Sequence, residues 1–268
     1  MDLHAVLPDE SPAMPVQRLA ELAATAEHLG YRAVWLPDHL LPPSDYGNVY
    51  GGVYEPLVTL SYLAAHTRTV RLGTSVLVLP MRNPFVVAKQ AATLDHISGG
   101  RFVLGVGIGW ARPEFDAVGA DYRTRAARTD EAIALIRHLF ESDGAFEGAY
   151  YGYETGVFQP RPEHGVPIMV GGNTDAALRR VAALADEWQA LSLTPEQFAE
   201  RLTHLRSLTS REIRATVRIA WDGEGPGLDD VLGQTRGLTE AGADAVAVWF
   251  GAETGFEDRM TRFAEKAL

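Results

Sequence analysis

The feature that most constrains the fold is a regular alternation of short apolar segments and amphipathic helices along all 268 residues. Eight segments have the length and composition of buried strands. They are Leu3–Leu7, Ala33–Leu36, Val70–Leu77, Phe102–Val106, Pro167–Val170, Trp188–Leu191, Ala215–Trp221 and Asp244–Phe250. A helical pattern follows each strand, which favours a parallel sheet covered by helices.

The helices are predicted from apolar spacing and from start and stop residues. They begin near Val16, run over Glu55–Thr67, Pro84–Ile97 and Pro113–Val118, cover Ile133–Phe140, and begin again at Thr174, Pro195, Leu228 and Phe256. Eight strand–helix units in about 250 residues match an α/β fold of the (β/α)8 (TIM) barrel type. A doubly wound open sheet is the competing arrangement. We favour the barrel because the count of units is eight.

One segment departs from the alternation. Phe146–Pro162, "FEGAYYGYETGVFQPRP", is rich in aromatic residues and glycine, which suggests an inserted hairpin or lid. The chain has no linker or low-complexity stretch. We therefore expect a single domain over residues 1–268, with an insertion at about 144–162.

Composition excludes several classes of function. The formal net charge is −11, from 24 basic and 35 acidic residues, so nucleic acid and anionic lipid are not expected partners. The absence of cysteine excludes disulfides and thiolate metal sites. The sequence shows no signal peptide and no apolar run of transmembrane length. A cytoplasmic protein without membrane contact is expected.

In a barrel, active sites form where strands end and the following loops begin. The second predicted strand ends in "WLPDH", which places Asp38 and His39 there. The third strand contains the small polar residues Gly73, Thr74 and Ser75, and glycine in a strand often marks a bulge or a close backbone approach. Packing inside the barrel would explain these residues equally well.

Two further strand ends are rich in glycine. Gly105, Gly107 and Gly109 alternate along "LGVGIGW", which would leave one face of the strand bare for a flat ligand. Gly171–Thr174, "GGNT", precedes a helix whose N–H groups would point to the same end of the barrel, forming either an anion site or an ordinary capped turn. The sequence has no phosphate-binding P-loop, no zinc-protease H-E-x-x-H and no G-x-S-x-G. A planar cofactor with a phosphate fits this set of strand ends.

These segments resemble the luciferase-like monooxygenase superfamily, and within it the branch that uses the deazaflavin coenzyme F420. The resemblance rests on "WLPDH", "RLGTSVLVLPMRNPFVVAKQAATLDHISGGRFVLGVGIGW", "PEFDAVGADYRTRAARTDEAI" and "GGNTDAALRRVAALADEW". It covers residues 30–190 well and the last third only in outline. It implies a barrel that holds the cofactor at its C-terminal mouth.

The resemblance also implies roles for individual residues. Asp38 and His39 would lie beside the reacting ring, and Ser75–Val76 corresponds to a non-proline cis peptide that supports the ring. Further cofactor contacts would come from Thr74 and Gly107 in the pocket and from Gly171, Gly172, Asn173 and Thr174 at the phosphate. Four arginines are candidates for the anionic cofactor tail, although a solvated helix face explains them as well: Arg112, Arg123, Arg125 and Arg128.

One position departs from the family pattern. Sugar-phosphate dehydrogenases of this branch carry a glutamate acid directly after the third glycine, where this chain has Trp110. This argues against glucose-6-phosphate and favours an apolar or aromatic substrate, with Trp110, Tyr50 and Tyr54 as contacts.

The resemblance implies hydride transfer between coenzyme F420 and a small unsaturated, carbonyl or imine substrate, with His39 exchanging a proton. Adjacent residues on an extended chain point apart, so Asp38 either orients His39 or stabilises the loop. Two alternatives are an FMN-dependent two-component monooxygenase and a non-catalytic flavin-binding protein. Members of the family are usually dimers, so a homodimer is expected, and a flavin or F420 reductase is a candidate partner.

Overall fold

The strands form a closed barrel. The computed structural model describes residues 2–8, 14–46 and 52–268. The strands are β1 (Asp2–Val6), β2 (Ala33–Leu36), β3 (Arg71–Thr74), β4 (Leu77–Val78), β5 (Phe102–Gly107), β6 (Phe146–Glu147), β7 (Gly152–Tyr153), β8 (Ile168–Gly171), β9 (Glu187–Leu191), β10 (Arg214–Ala220) and β11 (Ala245–Trp249). Parallel pairing runs in the order β3-β2-β1-β11-β10-β9-β8-β5, and pairing of β3 with β5 closes the ring. The predicted eight-stranded barrel is confirmed.

Helices lie between the strands, as the apolar spacing predicts. They are α1 (Val16–His28), α2 (Pro56–His66), α3 (Pro84–Ser98), α4 (Arg112–Ala117), α5 (Arg125–Glu141), α6 (Asp175–Leu184), α7 (Pro195–Leu208), α8 (Leu228–Glu240) and α9 (Phe256–Ala267). Local sequence fixes several of their ends. The Asn83 side chain accepts the N–H of Phe85 at 3.0 Å to begin α3, and Gly99 ends it in the left-handed conformation (φ 65°). Within the described ranges, no helix combines the length and apolar character needed to cross a bilayer.

The third barrel strand differs from the prediction. Val70–Leu77 was expected to be continuous, but the observed strand is divided into β3 and β4. The peptide bond between Ser75 and Val76 is cis, as the family resemblance implied. β4 then pairs with the end of β5, with Leu77 opposite Val106 and Val78 opposite Gly107.

The segment that breaks the alternation forms a small antiparallel hairpin. Phe146 of β6 lies opposite Tyr153 of β7. The hairpin therefore lies within the insertion predicted at 144–162. The assignment of residues 1–268 to one domain stays a prediction.

The interior of the barrel is filled by side chains. One cluster contains Val6, Ala33, Trp35, Val103, Met169 and Ala247. The Trp35 indole donates a hydrogen bond to Nδ1 of the buried His4 at 3.2 Å. Burial, with Arg214 and Arg71 nearby, lowers the pKa of His4 to about 3, so this histidine is neutral in the folded protein at neutral pH. A Cβ on Gly73 would lie 2.3 Å from the Trp35 ring, so only glycine leaves room for this indole.

Candidate active site

A cavity of about 480 Å³ opens at the carboxyl ends of the strands. This volume is in the range of small-ligand sites. Its walls come from the loop after β2, the β3–β4 bulge, the end of β5 and the ends of β8 to β11. The lining residues of that set include Pro37, Asp38, His39, Ser75, Val76, Val78, Gly107, Ile108, Gly109, Trp110, Gly171, Gly172, Gln189, Arg218 and Trp249.

A second cleft, of about 500 Å³, lies at the opposite end of the barrel. Charged side chains line it, and several of them form ion pairs. Arg211 contacts Asp186 at 3.3 Å within the lining. Arg214 contacts Asp2 at 2.5 Å, and Asp186 accepts from Arg137 at 2.7 Å. Such pairing at the amino ends of barrel strands is typical of structural stabilisation, whereas catalytic sites occupy the carboxyl ends. The cavity at the carboxyl ends is therefore the candidate active site.

The carboxylate that contacts His39 is that of Glu114. Glu114 lies in α4, is 2% exposed, and places Oε2 at 3.0 Å from Nδ1 of His39. Its other oxygen, Oε1, accepts the backbone N–H groups of Leu40 and Leu41, each at 2.9 Å. Glu114 thus fixes both the imidazole and the loop that carries it. The sequence gives no local signal for this residue, because it lies 75 positions from His39 as one acidic residue of a short helix.

Asp38 also lines the cavity, but its carboxylate is bound on the protein side. It accepts the N–H of Val78 at 2.8 Å and the Nη2 group of Arg82 at 2.7 Å. Arg82 in turn donates to Glu55 at 2.7 Å. Of the two roles left open for Asp38, these contacts match stabilisation of the loop, because they tie the end of β2 to β4. No pattern in the sequence marks Arg82 as part of the site.

The alternate glycines at the end of β5 are needed for a different reason from the predicted one, which was close approach of a flat ligand. A Cβ on Gly105 would lie 1.9 Å from the carbonyl oxygen of Thr74, and one on Gly107 would lie 2.5 Å from Val76. A Cβ on Gly109 would lie 2.5 Å from Val78. The prediction that the glycines bare a face for a flat ligand is therefore wrong as an explanation: that space is filled by the neighbouring strand. The glycines let the bulge enter the barrel, and Val76 then lines the cavity.

Polar side chains secure the bulge from the far side of the barrel. The Ser75 hydroxyl donates to Oε1 of Gln189 at 2.5 Å, and Arg218 donates from Nη1 to the carbonyl oxygen of Ser75 at 3.1 Å. Thr74 is fully buried and donates to the carbonyl of Gly105 at 2.6 Å, so it lies behind the cavity wall. Gln189 and Arg218 belong to β9 and β10, which were predicted only as buried strands.

The predicted phosphate segment divides into two parts. Gly171 and Gly172 line the cavity. The Asn173 side chain binds the backbone of Leu191 instead. Its Nδ2 donates to the Leu191 carbonyl at 2.7 Å, and its Oδ1 accepts the Leu191 N–H at 2.9 Å. Thr174 caps α6 by accepting the N–H of Ala177 at 3.2 Å. The side chains of Asn173 and Thr174 thus build the turn, while the two glycines provide its face toward the cavity.

One rim of the cavity is aromatic. Trp110 is 48% exposed, and its ring meets those of Tyr46 and His39 edge-on, at centroid distances of 4.9 and 5.8 Å. Tyr54 instead donates to the carbonyl of Met14 at 2.6 Å and does not line the cavity. Tyr50 lies outside the described residues. Tyr46 packs against Trp110, and nothing in the sequence singles it out.

The four candidate arginines lie on α4, α5 and the turn between them, and none lines the cavity. Arg125 stacks on the ring of Tyr122 with its guanidinium carbon 3.7 Å from the centroid, and Arg128 lies 4.6 Å above Tyr150. Arg112 and Arg123 are highly exposed beside acidic neighbours. Contact with a cofactor tail stays a prediction for all four.

Comparison with known proteins gives one family. The model of the luciferase-like monooxygenases matches residues 1–225. An F420-dependent glucose-6-phosphate dehydrogenase from Kineococcus radiotolerans is 42% identical over 158 residues, which are 57% of this chain and 46% of that protein. A 4-hydroxyprotoasukamycin monooxygenase from Streptomyces nodosus is 32% identical over 165 residues, 60% of this chain and 43% of that protein. The chain thus spans less than half the length of these two relatives.

Solved structures agree on the fold across the whole chain. An F420-dependent secondary alcohol dehydrogenase, determined with an F420-acetone adduct, superposes with a TM-score of 0.83 at 18% identity, covering 98% of this chain and 97% of that one. A monooxygenase from Streptomyces bottropensis gives a TM-score of 0.84 at 20% identity, covering 99% and 98%. At these identities the likeness establishes the barrel and its connectivity.

Proposed function

Because this chain belongs to the luciferase-like monooxygenase family, we propose that it is an oxidoreductase that transfers a hydride between coenzyme F420 and a small apolar or aromatic substrate. The observation that carries the proposal is the cavity itself, where His39, backed by Glu114, faces the same space as Val76 of the bulge. The 42% identity to an F420-dependent dehydrogenase supports the deazaflavin as the cofactor.

The residues of the cavity fit a planar cofactor with an anionic tail. Val76 would support one face of the ring, and the backbone of Gly107 would line the pocket beside it. Gly171 and Gly172 would receive the phosphate near the N-terminus of α6, where backbone N–H groups favour an anion. When bound, the deazaflavin supplies the hydride chemistry at its C5 carbon. The protein binds the ring, selects its face and excludes water.

His39 is the proposed proton donor or acceptor for the substrate. A carboxylate on Nδ1 holds the proton of a neutral imidazole at that nitrogen, which makes Nε2 the basic atom. Glu114 provides that carboxylate at 3.0 Å and also holds the backbone of the loop. His39 is thus the proposed catalytic residue and Glu114 its positioning residue. Asp38 contributes by holding the loop against β4.

The rim favours a substrate without phosphate. Trp110 offers ring surface at the position where the sugar-phosphate dehydrogenases of the F420 branch carry a glutamate acid, and Tyr46 packs against it. Ring surface of this kind binds flat or apolar groups. We propose an unsaturated, carbonyl or imine compound as the substrate class.

An FMN-dependent two-component monooxygenase is the second candidate. A monooxygenase relative that is 32% identical over 60% of this chain favours it. That enzyme type would need a partner that reduces the flavin. A homodimer, an F420 or flavin reductase partner and a cytoplasmic location are further proposals.

The proposal is tested by turnover. Purified protein is mixed with reduced F420 and a panel of enones, imines and ketones, and with oxidised F420 and alcohols or glucose-6-phosphate, following the F420 absorbance. We expect turnover with at least one apolar compound, loss of roughly 100-fold or more in His39→Ala, and none with glucose-6-phosphate. Turnover of glucose-6-phosphate as the best substrate would contradict the proposed substrate class. Oxygen-dependent product formation with reduced FMN alone would favour the second candidate.

A further inference from the structure

The floor of the cavity is built by polar side chains from three adjacent strands. Gln189 belongs to β9, Arg218 to β10, and Trp249 is the last residue of β11. All three line the cavity together with the bulge. Arg218 crosses the barrel, because its guanidinium reaches the carbonyl of Ser75 on the opposite strand at 3.1 Å. A cation therefore lies at the centre of the floor.

Two N–H groups on this floor have no protein partner in the described part of the chain. They are Nε2 of Gln189, whose residue is 4% exposed, and Nε1 of Trp249. The Gln189 amide oxygen accepts the Ser75 hydroxyl, so the amide nitrogen is the group left to donate. A buried donor without an acceptor is unfavourable, so such groups usually meet a ligand or water.

The charges of the cavity lining also favour a ligand that accepts hydrogen bonds from these two N–H groups. Among the described residues that line the cavity, Asp38 is the only carboxylate, and it is paired with Arg82 at 2.7 Å on the protein side. The N–H groups of Gln189 and Trp249 thus face a cavity whose described lining offers few acceptors, and Arg218 lines the same part of it. The ligand group that fits is an electron-rich edge with carbonyl oxygens.

We infer that Gln189, Arg218 and Trp249 bind the carbonyl-bearing pyrimidine edge of the cofactor ring, and that Arg218 favours the reduced ring, on which negative charge collects. This inference rests on the proposed function. A hydride taken from the substrate raises the electron density of that edge, so a fixed cation beside it stabilises the reduced form more than the oxidised form. Gln189 and Trp249, as neutral donors, act on both forms.

The test compares binding of the two redox forms. Dissociation constants for oxidised and reduced F420 are measured without oxygen by tryptophan fluorescence, and the midpoint potential of the bound cofactor is measured separately. Arg218→Met should weaken binding of the reduced form at least tenfold more than that of the oxidised form, which for a two-electron couple lowers the potential by about 30 mV or more. Arg218→Lys should retain most of this difference.

Trp249→Phe keeps the ring and removes only the N–H group. It should weaken both redox forms by a similar factor of roughly 3–10, the loss expected for one neutral hydrogen bond. Trp221→Phe is the matched control, because that indole donates to the carbonyl of Pro226 and does not line the cavity. It should bind both forms like the wild type.

Arg218→Met also loses the bond to the bulge, so its thermal midpoint is compared with that of Arg218→Lys. If Arg218→Met is too unstable to assay, Trp249→Phe and Gln189→Glu still decide, because the latter keeps the acceptor for Ser75 and places negative charge at the edge. Gln189→Glu should weaken the reduced form most. Equal effects on both forms in the Arg218 and Gln189 variants, with Trp249→Phe like the wild type, would overturn the inference.

Failure of the proposed function gives a different result. FMN carries the same pyrimidine edge, so wild-type protein that binds FMN and not F420 would refute the F420 proposal, while the same variants tested with FMN would still support the floor contacts. Wild-type protein that binds neither cofactor overturns both.

Discussion

At the scale of single residues, the contact between His39 and Glu114 is the one most directly open to mutation. In Glu114→Gln the amide would donate to Nδ1 and shift the imidazole proton to Nε2, removing the base. We expect the turnover rate to fall roughly 100-fold, within the range for general acid–base catalysis, while the dissociation constant of the cofactor changes less than threefold. The dependence of kcat on pH should also differ from that of the wild type, because the imidazole proton has moved to the other nitrogen.

Glu27→Gln is a control for this change. Glu27 also accepts several backbone N–H groups, those of Arg68, Thr69 and Val70 at 2.7–2.9 Å, but it does not line the cavity. It should affect stability without changing the shape of the kcat profile. A Glu114→Gln variant whose kcat and pH profile match the wild type would contradict the positioning role.

His4 gives a pH prediction that concerns stability alone. Burial lowers its pKa to about 3 from 6.5, so between these values the unfolded chain binds more protons and the free energy of unfolding falls as pH falls. The part of the unfolding free energy that depends on a neutral His4 is present in full well above pH 6.5. About 2 kcal/mol of it is lost by pH 5. Urea unfolding at pH 8 and pH 5 should show this loss in the wild type, and His4→Gln, which can still accept from Trp35, should show a difference smaller by about that amount. If His4→Gln lost as much unfolding free energy between pH 8 and pH 5 as the wild type, His4 would not be the source of that loss.

At the scale of elements, β5 and the bulge depend on each other through glycine. A Cβ on Gly105 would meet backbone, the carbonyl of Thr74, at 1.9 Å, so β3 or β5 must move in Gly105→Ala. We expect a loss of about 3 kcal/mol or more of unfolding free energy, at the upper end for overpacking. Gly144→Ala, where no atom lies within 4 Å of the new Cβ, should change it by less than about 0.5 kcal/mol. Equal stability of the two variants would refute the steric explanation.

The elements were largely predictable from sequence, and the contacts of the site only partly. Apolar runs and helix caps are local, so β2 and α3 appear nearly where the patterns put them. The strand-end rule also placed His39 at the cavity. Glu114 and Arg82 were missed because each lies far along the chain from its partner, in a different strand–helix unit, with no local signal in the sequence. The glycines of β5 were identified but misinterpreted, since their partner, the bulge, lies on a separate strand.

At the scale of the whole molecule, closure of the barrel completes the site. The family model matches residues 1–225, and β11 lies beyond that range. This strand pairs with β1 and β10 and brings Trp249 to the cavity floor. The chain carries a net charge of −11, yet the floor of the cavity carries Arg218. An anionic cofactor would therefore be attracted only locally, and its binding should weaken as ionic strength rises.

The most direct test is a titration of the purified protein with oxidised F420 and, separately, with FMN, following the fluorescence of each cofactor. We predict micromolar binding of F420 and at least tenfold weaker binding of FMN. Preference for FMN would contradict the F420 assignment and favour the oxygen-using monooxygenase. Binding of neither would contradict the assignment of the cavity as a cofactor site.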